Sequence, residues 1–339
     1  MGASASKILQ LTSSGEAAWG TTGAATRKLH GVTDATLKIN SDTRVVESQG
    51  WYGPSTVVYE GSQSGAGAIE MVLSYDEFPI LLNGVFTAND DSTGSSTGGT
   101  TGPNNYPYEA PTSSTQAVYS YTIEYGTTAA TYRAPGSVIS NMTVRGEAGG
   151  AWEATFDTVA KQIIASTSGL SSGLSDRTVV PIRMANTTLY VDAFSTGTMG
   201  ASEVAATLID FELNVNPNRH LKLFAGSKVP SSFGDGRMEG SLRMTLEFNT
   251  TAKALVDELL GTSTGALVKR QIRIGATQGS DSGRYTANLD FAGTKVEGET
   301  LFGDRDGNII IETNWQGTYS TGLTNWFICN VENQSTSTT

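Results

Sequence analysis

Gly169-Leu-Ser171-Ser-Gly173 has the Gly-x-Ser-x-Gly spacing of a serine nucleophile, and Asp192, Asp210 and His220 follow it in the chain order of a hydrolase triad. Such a serine works from a tight strand-to-helix turn of an α/β sheet, whereas this one lies in a run of Ser and Gly with no such pattern around it. Catalysis by Ser171 is therefore not expected. His30 and His220 are the two histidines, each without a second ligand or a carboxylate pair nearby in sequence, which suits surface or interface side chains better than metal ligands or proton shuttles. Asp304-Arg-Asp306-Gly307-Asn308 opens like a calcium loop but lacks its downstream glutamate, and an Asp-Gly hairpin turn accounts for it. Glu70, Glu124, Glu153 and Glu247 fall on strand-like segments where a glycosidase could pair two carboxylates, yet a solvated sheet face explains them equally simply. Cys329 is the single cysteine, so no internal disulfide and no Cys-based zinc site can form, and no phosphate loop or dinucleotide motif is present. The expectation is a protein that is not an enzyme and carries no cofactor and no metal.

Composition narrows the alternatives. The net charge of −11 opposes nucleic-acid binding, which needs clustered Lys and Arg against phosphates. Acidity does not oppose DNA passing by, because like charge removes the attraction that would arrest a polyanion. Thirty-nine glycines and abundant Ser and Thr between short alternating runs favour a mainly β fold. Apolar stretches fall short of the ~20 residues that span a bilayer, and the N-terminus lacks the pattern of a secretory signal, so no membrane insertion is expected.

The elements that would position any site occur twice. Gly67-Ala-Ile-Glu-Met-Val-Leu-Ser-Tyr-Asp and Gly240-Ser-Leu-Arg-Met-Thr-Leu-Glu-Phe-Asn share their apolar spacing 173 positions apart. Each runs into a segment with helical spacing, Asp76 to Phe86 and Asn249 to Leu260, with Asp76 and Asn249 as N-caps. Upstream, Leu37 to Asn40 matches Leu213 to Asn216; downstream, Val118 to Tyr125 matches Leu267 to Ile274, and Trp152 to Phe156 matches Ile309 to Trp315. The reading is a tandem duplication of β-sandwich domains, each flanked by one α-helix. Its boundaries are an arm over 1–34, a first domain over 35–165 with a long polar loop at 88–117, connecting strands and a Ser/Gly linker over 166–209, a second domain over 210–325 and a flexible tail over 326–339.

Three of these features together resemble one family: the arm Glu16-Ala-Ala-Trp19-Gly20-Thr-Thr, the turn and strand Gly65-Ala-Gly-Ala-Ile-Glu-Met-Val-Leu before the Asp76 helix, and the return of that unit at Gly240. They resemble the tail tube proteins of bacteriophages with long non-contractile tails, in the branch whose subunit carries two fused tube domains. The resemblance implies that three copies close a trimeric, pseudo-hexameric ring whose inner sheets form one β-barrel. Rings would stack into a tube that conducts viral DNA during ejection, built in the host cytoplasm and carried in the virion tail. It implies as partners the chain itself, a tape measure protein, tail terminator and tail-tip proteins, and DNA that passes without specific binding. Glu70 and Glu247 are the candidate lumen residues, with the strands Leu37 to Asn40 and Leu213 to Asn216 as the alternative inward faces. Trp19, Asp90, Asp91, Asn104, Tyr106 and Tyr108 are the candidate contacts between rings. The competing reading is a carbohydrate-binding or adhesin-type β-sandwich of a tail tip or fibre, suggested by Tyr119, Tyr121, Tyr125 and Trp51-Tyr52.

Overall fold

The computed structural model describes residues 7–46, 49–50, 53–54, 57–89, 93–94, 103–112, 116–127, 130–195, 197, 199–204, 207–250, 252–253, 267–280, 283–296, 300–305 and 307–335. The strands are β1 (Ile8–Leu11), β2 (Arg27–Lys28), β3 (Val32–Val46) and β4 (Val57–Val72), followed by helix α1 (Phe78–Val85). After it come β5 (Thr93–Gly94), β6 (Asn104–Glu109), β7 (Tyr121–Gly126), β8 (Thr131–Glu147), β9 (Trp152–Ala160), β10 (Ile164–Ala165) and β11 (Thr187–Ala193). The last group is β12 (Leu208–Asn216), β13 (His220–Lys222), β14 (Ser232–Gly234), β15 (Glu239–Glu247), β16 (Lys269–Gln278), β17 (Tyr285–Lys295), β18 (Thr300–Arg305), β19 (Asn308–Gly317) and β20 (Phe327–Asn333). The mainly β expectation holds.

Two antiparallel pairing series organise these strands. One runs β1–β7–β8–β9–β4–β3. The other runs β11–β16–β17–β19–β15–β12. Strand β8 also pairs with β12, from Asp210↔Glu147 to Val215↔Met142, and welds the two series into one sheet. That sheet reads β3–β4–β9–β8–β12–β15–β19–β18. Among the described residues, β3 pairs only with β4 and β18 only with β19.

Alternation of side chains sets the two faces of this sheet. Ile69, Met71, Phe156, Val144, Leu213 and Leu242 point to one side and are buried there. They belong to a single hydrophobic cluster that includes residues of both halves of the chain. Trp152 of β9 meets Phe211 of β12 edge to face at 5.2 Å, a contact worth ~0.5–1.5 kcal/mol beyond area burial. The expected boundaries thus divide a chain whose halves share one core. Gly67 and Gly240, the heads of the sequence repeat, are glycines because of close approach. A Cβ on Gly67 would lie 2.6 Å from the Thr36 carbonyl oxygen, and one on Gly240 would lie 2.4 Å from the Trp326 ring.

The helix differs from its expected amphipathic form. All eight residues of α1 are buried. Tyr108 Oη donates to the Pro79 carbonyl at 3.0 Å, and Tyr121 Oη donates to that of Ile80. Asp76 does not cap it, because its Oδ2 accepts from Val180 N; Ser74 Oγ accepts from Glu77 N instead. Asn249 does act as the expected cap, its Oδ1 accepting from Ala252 N at 2.9 Å. Residues 254–266, most of the second expected helix, lie outside the described residues.

The described parts of the arm, the long loop and the tail are integrated. The arm contributes β1 and β2, which extend the sheet beside β7. The loop 88–117 contains β6, which pairs with β20 from Ile328↔Glu109 to Asn333↔Asn104. Strand β20 itself begins one residue into the expected tail and alternates buried and half-buried positions between β17 and β6. Its alternation, Phe327, Cys329, Val331, is the reason it folds in.

Candidate functional site: the polar face and open edges of the sheet

The face of the sheet opposite the core is a lattice of charged and amide side chains. One row crosses five strands as Glu153, Arg145, Glu212, Arg243 and Asn314, each directly opposite the next. Arg145 Nη2 lies 2.8 Å from Glu153, and Arg243 Nη2 lies 3.7 Å from Glu312. The next row is amide-rich: Asn214 Nδ2 donates to Asn141 Oδ1 and Thr143 Oγ1, both at 3.0 Å. Near the other end of these strands Arg305 bridges Glu147 and Asp210. Along these rows cations and anions alternate.

Glu70 and Glu247 both stand on this face and are exposed. Glu70 sits between Asp34 and Thr155, whereas Glu247 sits at the end of β15 opposite Ile310. The register counterpart of Glu70 is Arg243, three residues after Gly240 as Glu70 is three after Gly67. Strands β3 and β12, which carry the alternative inward residues, belong to the same sheet, and Lys38 and Glu212 are exposed on it.

The other candidate residues lie elsewhere. Trp19 is half-buried against its own chain: its Nε1 donates to the Gly136 carbonyl at 3.1 Å, Lys161 Nζ covers the ring, and Phe233 packs at 6.1 Å. Tyr106 and Tyr108 are buried, and Tyr106 Oη donates to the Ser335 carbonyl. Asn104 is half-buried at the start of β6. Asp90 and Asp91 lie outside the described residues, as do Trp51 and Tyr52. Tyr121 is buried, with Tyr119 and Tyr125 packed against the same core, so these tyrosines form no exposed aromatic platform.

Sequence reading missed a set of buried charges on the core side. Glu77 is fully buried, and both its oxygens accept from His30 N at 3.0 Å. Arg177 N donates to His30 Nε2, so Nδ1 carries the ring proton and donates to Glu77 at 2.9 Å. Arg177 Nη2 reaches Glu77 at 3.3 Å. Burial pushes the Glu77 carboxyl above its ordinary range, against the opposing pull of His30 and Arg177. Glu124, expected on a solvated face, is likewise buried, with Arg133 at 2.9 Å and Ser171 donating from both N and Oγ. Ser171 is thereby a structural tie between the Ser/Gly segment and β7. Arg219, at the end of the connection after β12, donates to the carbonyls of Gly84, Val85 and Ile139 and pairs with Asp235 at 2.8 Å. Among the described residues, no group of three or more His, Cys, Asp or Glu could hold a metal ion.

The family model described as phage tail tube protein matches residues 9–317. No curated protein matches the chain.

Proposed function

The chain belongs to the phage tail tube protein family, with a structural role in the virion tail, and from that premise we propose that three copies close a pseudo-hexameric ring and that rings stack into the conduit for DNA ejection. The observation that carries this reading is the β8–β12 seam. It joins the two pairing series inside one chain, while among the described residues β18 pairs only with β19 and β3 only with β4. Pairing β18 of one copy with β3 of the next repeats that seam and removes both edges, which would otherwise invite uncontrolled strand addition. Three chains of two units each then make a closed barrel with six seams.

The reading of the two units as a tandem duplication is supported by their register. Leu37 pairs with Gly67 as Val215 pairs with Gly240, two residues on from the Leu213 that sequence spacing matched to Leu37, and Ile69 pairs with Phe156 as Leu242 pairs with Trp315. In the ring the polar face lines the lumen, with Glu70 and Glu247 among its acidic groups. Its alternating charges and amides let DNA slide without a site to hold it. Loop 88–117 and Trp19 form the contacts between rings. In that role Tyr106 and Tyr108 anchor the loop from within, and Asn104, Asp90 and Asp91 are its further candidate contacts. The tape measure protein, tail terminator and tail-tip proteins are the partners at the lumen and the two ends, and assembly takes place in the host cytoplasm.

Negative-stain electron microscopy of the concentrated protein and of virions tests the reading. The expected class averages, viewed down the axis, show a central hole with three-fold or pseudo-sixfold symmetry. Globular monomers in the preparation, together with virion tubes that an antibody to this chain leaves undecorated, would overturn it.

A further inference from the structure

Strand pairs β3–β4 and β12–β15 hold matching places in the two series, yet the chain continues from them in opposite ways. After β12, residues 217–238 fold back over the first half of the same chain. Arg219 inserts beside Ile139 and the end of α1, Phe233 packs on Trp19, and the Lys228 carbonyl accepts from Gln63 N at 2.7 Å. After β3, the chain instead runs outward as a two-stranded ribbon. Ala35 and Leu37 face the core, but Ile39, next in the same row, is 59% exposed. Farther out, the cross-strand pair Val45 and Val58 is 60% and 57% exposed. Lys228 touches this ribbon at Gln63 and Glu60, yet Ile39, Val45 and Val58 remain exposed apolar side chains on it. Among the described residues of its outer part, Arg44 pairs with Asp42 and Glu60 with Lys228.

Among the described residues, the second half has an open place at the position where the first half receives Arg219. Ile139 pairs with Thr158, and Thr158 with Gly67; in the second half Gly293 pairs with Gly317, next to Gly240. Beside Gly317 opens a cleft of about 1250 Å3 whose lining mixes apolar Met238, Tyr319 and Trp326 with charged Asp235, Arg237 and Glu239. Tyr319 is 53% exposed there. The cleft is larger than the ~300–1,000 Å3 typical of small-ligand sites, and suits a chain segment.

We infer that this cleft receives the β3–β4 ribbon of a second copy, entering at Ile39. The inference rests on the ring reading, and repeats between chains the docking that residues 217–238 make within one chain. Each copy then gives a ribbon to one neighbour and takes one from the other, a head-to-tail contact that closes around a ring. The ribbon locks the seam that the strand edges form.

Cysteine pairing tests it cleanly, because Cys329 is buried, with its thiol pushed far from reactivity by burial. In Ile39→Cys/Tyr319→Cys protein, mild oxidation of assembled rings or tubes should shift the monomer band to covalent dimers and trimers on a non-reducing gel. Either single variant should stay monomeric there. Rings or tubes visible by electron microscopy without that shift would overturn the docking and leave the ring reading standing. Monomers alone, in wild type and variant at every concentration, would overturn the ring reading and the docking with it. A second variant, Ile39→Asp, should keep a native circular dichroism spectrum and lose ring formation; rings formed by I39D would also overturn the inference.

Discussion

The two sides of the central sheet handle charge in contrasting ways. On the polar face, Arg145 pairs with Glu153 and Arg243 with Glu312, neighbours on adjacent strands whose side chains are 39–60% exposed. On the core side, Glu77, Glu124 and Arg219 are buried, and their partners are mostly backbone groups from distant segments. The exposed pairs decorate a sheet that hydrogen bonds and apolar packing already hold. The buried charges instead fasten the N-terminal arm, the Ser/Gly segment and the 217–238 connection to the body of the fold. Both Glu77 and Glu124 take a backbone N–H from the arm, at His30 and Ala25, and a second contact from the 166–180 segment.

The largest test of that contrast is Arg219→Ala. It leaves three carbonyls and Asp235 without a buried donor, and should lower unfolding free energy in urea by about 3–5 kcal/mol. A loss below ~1 kcal/mol, the scale of an exposed pair, would break the distinction. Glu124→Gln comes next. It strips the counter-charge from Arg133 and weakens the hold on Ser171, with an expected loss of about 1.5–3 kcal/mol. Hydrogen exchange should then rise at Gly169 to Gly173 while β8 and β9 stay protected; unchanged exchange there would remove the tie assigned to Ser171.

The pH dependence is smaller and has a definite sign. Burial raises the Asp76 and Glu77 carboxyls above their ordinary range, so the folded chain holds these protons more tightly than the unfolded one. Their contribution is complete below the ordinary carboxylate range and is lost as pH rises through the raised values. The stability of wild type relative to Glu77→Gln should therefore decline with rising pH across that window. A difference that stays flat there would show that ionising Glu77 costs nothing in the folded state. The smallest effect belongs to the polar face: a double-mutant cycle on Arg145→Ala and Glu153→Ala should return a coupling of about 0.2–1 kcal/mol, shrinking with salt. A coupling of several kcal/mol would sharpen the picture differently, by making the polar-face lattice a structural element.

The sequence could be read where information is local. Alternation at Ile69, Met71, Leu73 and at Leu242, Met244, Leu246 placed strands and their faces, because a pleated strand sends successive side chains to opposite sides. Asp306-Gly307 marked a hairpin turn; Asp306 lies outside the described residues, but Arg305 pairs with Asn308 on either side of it, Gly307 has φ 82° and its N–H donates to Asp304. The spacing of two such blocks exposed the matching strand pairs, and Asn249 announced its cap. The family resemblance drew on the same local patterns. Tertiary structure alone decided what lies far apart in the chain. His30 meets Glu77 across 47 positions, Ser171 meets Glu124 across 47, and Arg219 meets Val85 across 134. It also took β6 out of a polar loop and β20 out of an apparent tail, buried α1 on every side, and left Ile39 bare while Leu37 is covered. A strand's faces follow from its own alternation, but the depth at which a residue lies depends on which other strands arrive beside it, and that is set by the pairing of the whole chain.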